Sequence, residues 1–108
     1  MNVRDGQQEA GKALTAEMCE GTSAETGAVQ YEWFYTHDGG KCHILEEYED
    51  SAAAVAHLQN FLTKYVERFM GCFEPTAVNV YGDPSDELNE LMQPFGPVYF
   101  GGREGFVH

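Results

Sequence analysis

The sequence predicts an α+β fold of the ferredoxin-like, split βαβ class, with an antiparallel sheet followed by a short C-terminal helix and strand. Three observations predict it. Strand-like and helix-like segments alternate in the order strand, helix, strand, strand, helix, strand. A glycine-rich turn joins the two middle strands, and the long segment after them spaces its apolar residues three and four apart. At 108 residues the chain has the length of a single domain, 1–108, with one modest core.

Met1 to Arg4 supplies a first strand before a turn at Gly6. It is shorter than the typical strand of about five or six residues. In this topology the first strand lies in the middle of the sheet. The strand is therefore short in itself, or the chain begins within it, or another chain completes the sheet. Residues 7–23 carry Ala10, Ala13, Leu14, Ala16 and Met18 in a helical pattern that ends near Gly21 and the Thr22-Ser23 pair. Tyr31 to Tyr35 is rich in residues that fit a pleated, half-buried surface, and Cys42 to Tyr48 alternates as a second strand. Asp38-Gly39-Gly40 between them reads as a hairpin turn, because glycine supplies the positive φ such turns need. Asp50-Ser51 offers an N-cap for a helix whose buried face is Val55, Leu58, Leu62, Tyr65, Val66 and Phe69, and which Gly71 stops. If Leu58 and Leu62 are core residues, truncating either costs about 2 to 5 kcal/mol. Phe73 to Tyr81 returns to strand character through Thr76, Val78 and Val80, with Pro75 marking an edge or bulge. Asp83 caps a short helix with Pro84 in its first turn and Leu88, Leu91 and Met92 on its apolar side. Pro94, Gly96 and Pro97 end it, and Val98-Tyr99-Phe100 forms a last short strand.

Composition excludes several classes of function. Eighteen acidic against six basic residues give a formal charge of −12, which repels phosphate backbones and anionic lipid, so no nucleic acid and no membrane surface is an expected partner. No run of about 18 apolar residues exists to span a bilayer. The opening MNVRDGQQEA is too polar for a secretory signal, and a cytoplasmic location is expected. Cys19, Cys42 and Cys72 are odd in number and lack CxxC spacing, so they indicate neither a disulfide framework nor a structural zinc site. His37, Cys42 and His43 have no ligand spacing that would mark a metal centre, and none is expected. A sheet with helices on one face leaves the other wet and largely apolar, and pairing with a second copy covers it. A homodimer is expected.

The segments YEWF, CHILEEYED and SAAAVAHLQNF, in that order, resemble the antibiotic biosynthesis monooxygenase-like family of dimeric α+β barrel proteins. Tyr31 and Glu32 match its Tyr-Glu-x-aromatic strand. Glu46, Tyr48 and Asp50 match a strand ending Glu-x-aromatic-x-Asp, and His57 matches the histidine of an Ala-His helix. The resemblance spans most of the chain and is strongest from Tyr31 to Phe61. It implies a dimeric barrel and the oxidation of quinols or polycyclic phenols by molecular oxygen, with no metal or flavin cofactor. Some relatives degrade haem, and others have no demonstrated activity.

That chemistry makes specific demands. A phenol must become its anion before it can pass an electron to oxygen, so the minimum is a base beside an apolar enclosure. His57 and Glu46 are the candidate catalytic pair: imidazole titrates near neutral pH, and a carboxylate on the strand beneath the helix orients it or raises its basicity. Tyr31, Trp33, Phe34 and Tyr48 offer aromatic walls for a small aromatic or hydrophobic ligand. Each has a plainer alternative. His57 borders an apolar stripe, where a hydrogen-bonded structural histidine fits equally well. Glu46 shares a strand face with Ile44 and Tyr48 and could serve in a structural pair. Strand alternation lets only half of the 31–35 run line any one pocket. Two functions follow: a cofactor-independent monooxygenase, or a dimeric module that binds a small molecule without turnover. Haem binding with His57 as axial ligand is a weaker third, because six Lys and Arg mark no propionate site.

Overall fold

The first strand, β1 (Asn2–Val3), lies at the centre of the sheet in the computed structural model, which describes residues 1–108. Only two residues long, it is held from both sides. On one edge it pairs antiparallel with β4 (Phe73–Glu74), through Asn2↔Glu74 and Val3↔Phe73. On the other it meets the start of β3 (Cys42–Tyr48). There the Cys42 amide donates to the Met1 carbonyl at 3.0 Å, the Val3 amide to the Gly40 carbonyl at 2.9 Å, and the terminal amine to the Cys42 carbonyl at 2.9 Å. β3 pairs antiparallel with β2 (Ala28–Tyr35), from Tyr35↔Cys42 to Ala28↔Tyr48. The resulting order β2–β3–β1–β4 is that of a split βαβ sheet. In the hairpin, Gly39 takes φ 73°, and the Asp38 carboxylate accepts from the Gly40 amide at 2.9 Å and from the Thr36 hydroxyl at 2.7 Å.

Three helices cover one face: α1 (Gln8–Ser23), α2 (Ser51–Lys64) and α3 (Val66–Cys72). The core beneath them joins Leu14 and Met18 of α1, Phe69 and Cys72 of α3, and Val3, Cys42 and Phe73 of the sheet. The buried stripe of α1 is Gly11, Leu14, Met18 and Thr22, while Ala10, Ala13 and Ala16 are exposed, so the face is narrower than the alanine pattern predicts. Gly11 belongs to it because a Cβ there would come within 3.1 Å of the Phe73 ring.

Several sequence expectations about elements and their ends are corrected. The long helix is broken at Tyr65 (φ −123°, ψ −24°) into α2 and α3, and α3 runs through Gly71 to Cys72. Leu62 is 38% exposed, so the stripe read from it overshoots the core. The strand expected over Phe73 to Tyr81 is two strands, β4 and β5 (Asn79–Tyr81), because Pro75 has no N–H to continue a ladder. The cap of α4 (Asp86–Met92) is Ser85 rather than Asp83, its hydroxyl accepting from the Leu88 amide at 3.2 Å. After a 3₁₀ turn at Gln93–Phe95, β6 (Val98–Phe100) pairs parallel with β5, so β5, α4 and β6 form a small crossover unit. The Ser85 amide donates to the Ser51 hydroxyl at 3.0 Å and ties that unit to the start of α2.

Register fixes which side chains meet the helices. Tyr31↔Glu46, Trp33↔Ile44 and Tyr35↔Cys42 are opposed pairs and share the helix-facing side. Glu32↔Leu45 and Phe34↔His43 point the other way. That outer face alternates charge with apolar side chains, so it is mixed rather than largely apolar: Phe34 and Leu45 are about half exposed beside exposed Glu32, His43 and Glu47.

Candidate active site

The Asp50 cap sets the start of α2: its carboxylate accepts from the Ala53 amide at 2.8 Å, and the helix then carries His57 over the end of the β2–β3 hairpin. Two turns in, His57 is buried among three elements. Its Nε2 faces Glu46 Oε1 of β3 at 3.2 Å. Its Nδ1 faces both oxygens of Glu25, at 3.0 and 3.3 Å. The rings of Tyr31 and Tyr48 flank the imidazole at centroid distances of 5.4 and 5.1 Å, and the Tyr48 hydroxyl donates to Glu46 Oε1 at 2.7 Å. Side-chain exposure rises from 11% at His57 through 22% at Glu25 to 36% at Glu46, so Glu46 is the member most open to a ligand.

Electrostatics follow from this packing. Burial alone would pull the His57 pKa down, but the hydrogen bonds and charges of Glu46 and Glu25 outweigh it and raise the pKa above the ordinary value. Burial, reinforced by the Glu46 charge, pushes the Tyr31 and Tyr48 phenols far above theirs, so both stay protonated and Tyr48 remains a donor. Because His57 binds its proton more tightly folded than unfolded, the stabilisation from its charged form is fully present below the unfolded pKa of about 6.5. It is lost as pH rises through the higher folded value. Urea unfolding of the protein and of His57→Gln is expected to show a stability gap that is widest in mildly acidic buffer and narrows as pH rises above neutrality.

Of the residues singled out in the sequence, the structure brings together His57, Glu46, Tyr31 and Tyr48. Trp33 lies beside Tyr31 (6.4 Å) but turns into the core against Phe73 (5.4 Å) and Phe69 (6.4 Å). Phe34 is on the outer face, away from His57, as strand alternation dictates. His43 shares that face, so it does not converge with buried Cys42. Glu25 and Glu46 face opposite nitrogens of His57, and no group of three His, Cys, Asp or Glu side chains is arranged as a metal-ligand set.

Glu25 is the member that sequence reasoning missed. It lies in the loop between α1 and β2, where no periodicity assigns a face. Its loop is nonetheless closely fixed. The Glu25 amide donates to the Thr22 carbonyl at 2.9 Å, the Ala28 amide to the Glu25 carbonyl at 3.2 Å, and the Glu49 amide to the Gly27 carbonyl at 2.9 Å. Gly27 is buried against α2, where a Cβ would collide with that of Ala53. Gly27→Ala is therefore expected to destabilise the fold by about 1–3 kcal/mol through overpacking, as read by chemical denaturation. Two open grooves flank the cluster. One of about 430 Å³ runs past Glu25, Gly27, Asp50 and Ala53, and one of about 210 Å³ past Cys19, Thr22 and Tyr31.

Comparison with known proteins bears on the family and the fold. The family model described as antibiotic biosynthesis monooxygenase matches residues 1–70, a span that includes Glu25, Tyr31, Glu46, Tyr48 and His57. The crystal structure of MupZ from Pseudomonas fluorescens is similar at a TM-score of 0.80 and 27% identity, over 99% of this chain and 88% of that one. No curated protein matches. With well over half of its 108 residues matched by the family model, the chain belongs to the antibiotic biosynthesis monooxygenase family.

Proposed function

We propose that the protein is a cofactor-independent monooxygenase that oxidises a quinol or polycyclic phenol with molecular oxygen. The observation that carries this reading is the buried His57 held between two carboxylates and flanked by two tyrosine rings, an arrangement that suits a proton acceptor beside aromatic side chains. In the reaction, neutral His57 takes the phenolic proton at Nε2, with Glu46 moving aside and stabilising the imidazolium that forms. The phenolate passes one electron to dioxygen, and the resulting radical pair combines at a ring carbon as a peroxide. Loss of water leaves a quinone: one oxygen atom enters the product and the other departs as water, so dioxygen is the only oxidant consumed. Tyr31 and Tyr48 hold the flat ring.

A second copy completes this reading. Phe34 and Leu45 of the outer face, with Tyr81, Val98, Tyr99 and Phe100 of the crossover unit, remain exposed. A homodimer covers these side chains. Analytical ultracentrifugation at micromolar concentration is expected to give a mass near twice 12.0 kDa, and a monomer there would overturn this part.

The test of function is oxygen consumption by protein stripped of metal and flavin, against a panel of hydroquinones and polycyclic phenols. Saturable uptake with quinone formation supports the oxygenase. The occupation of both His57 nitrogens by protein carboxylates favours a second reading, a small-molecule-binding module in which the cluster is structural. Saturable binding of panel compounds with no oxygen uptake is the result that reading expects.

A further inference from the structure

The two carboxylates that hold His57 are not equivalent. We propose that Glu25 is a positioning residue, which keeps a proton on His57 Nδ1 so that Nε2, on the side of Glu46 and Tyr48, is the nitrogen that exchanges a proton with the substrate. Its catalytic consequence rests on the oxygenase reading; the proton placement itself does not.

Glu25 meets Nδ1 through both oxygens, at 3.0 and 3.3 Å, whereas Glu46 meets Nε2 through one, at 3.2 Å. An ionised carboxylate has no proton to give, so in the Glu25 contact the ring must be the donor. Glu25 is also the more shielded partner, and Glu46 already accepts a second hydrogen bond from Tyr48. Competition from water and from Tyr48 weakens the hold of Glu46 on a ring proton, while Glu25 has neither competitor to the same degree. The proton given up first is therefore the one on Nε2. Once it leaves, the Nε2 lone pair faces the Glu46 carboxylate, and their repulsion opens that edge of the ring to a phenol.

The loop is built to keep Glu25 in place. Backbone bonds tie it to α1 and to the end of β3, and Gly27 permits its close approach to Ala53 of α2. The groups facing the imidazole are Glu25 from this loop, Tyr31 from β2, and Glu46 and Tyr48 from β3. No lysine or arginine pairs with either carboxylate, so the two act on the ring undiluted.

Nitrogen-resolved NMR titration of the imidazoles in the full chain tests this without reference to turnover. The spectrum of His57→Gln identifies the His57 signals among the four histidines. The wild-type neutral ring is expected to carry its proton on Nδ1. Glu25→Gln is expected to lower the midpoint by about one pH unit or more, because it removes an opposite charge in contact with the ring, and to move part of the proton population to Nε2. Glu46→Gln lowers the midpoint but leaves the Nδ1–H form dominant. A wild-type neutral ring protonated on Nε2, or a Glu25→Gln protein with unchanged tautomer and midpoint, would overturn the proposal. For any quinol that is turned over, the rising limb of the pH–rate profile must shift downward in Glu25→Gln by the NMR interval, and an unshifted limb overturns the catalytic role. If no quinol is oxidised while the tautomer is as expected, the oxygenase reading falls and the placement of the proton by Glu25 stands.

Discussion

Phe73→Ala is expected to cost about 3–5 kcal/mol, the range for truncating a fully buried aromatic ring. Phe73 is the least exposed side chain of the core, at 0%. It closes the centre of the molecule from the first residue of β4, with Trp33 at 5.4 Å and Phe69 at 5.2 Å between ring centroids. Gly11 of α1 packs directly on the ring, so the helix cannot easily collapse into the space left behind. β4 is only two residues long and secures the equally short β1, so loss of this ring also weakens the central strand pairing. Domains of this size have a net stability of about 5–15 kcal/mol, and the substitution removes a large part of it. Circular dichroism with urea titration should show the midpoint falling steeply. Leu62→Ala, by contrast, is expected to cost about 1 kcal/mol, because that side chain already meets solvent on one side. Equal losses for the two substitutions would mean that the core is not centred on Phe73.

The contrast between Phe73 and Leu62 shows what the sequence could and could not convey. Period-two alternation determines which side of a strand a residue occupies, so the hairpin and the shared face of Ile44, Glu46 and Tyr48 follow from local pattern, whereas the pairing of Tyr31 with Glu46 and the exclusion of Phe34 from the site needed the register between the strands. The Asp50 cap was legible for the same reason, since it depends on one side chain and the third amide beyond it. Helical periodicity carried less. Apolar spacing runs on through Tyr65, whereas the chain leaves helical geometry there, and no residue near the break is a proline. Only tertiary packing distinguishes Phe69, which enters the core, from Leu62, which does not. Glu25 lies furthest beyond local pattern. It stands 32 residues from His57 in a loop, and its place depends on how closely the α1–β2 connection approaches α2. The one local trace is Gly27, a small residue where two backbones nearly touch, and such a glycine announces close approach without naming what is approached.

For a quinol that the protein oxidises, His57→Gln is expected to reduce turnover by about 10²–10⁴-fold, the usual worth of a positioned general base, and to change the binding constant only a few-fold. Glutamine can still donate a hydrogen bond toward a neighbouring carboxylate, but it cannot take up a proton near neutral pH. The substitution therefore removes the proton acceptor while sparing most of the contacts around it. If Tyr31 and Tyr48 hold the ligand as proposed, they meet it equally in its ground and transition states, so affinity and turnover should separate. The wild-type rate should rise with pH through the His57 titration, and that titration lies above the ordinary histidine range because Glu46 and Glu25 overcome the effect of burial. The rising limb is thus expected on the alkaline side of about pH 6.5 and should vanish in the variant. Stopped-flow measurement of quinone formation from about pH 6 to 9, with calorimetric binding of the same compound in parallel, reads both quantities. A variant that retains both the rate and its pH dependence would place the proton acceptor elsewhere, with Glu46 as the nearest exposed carboxylate to test next.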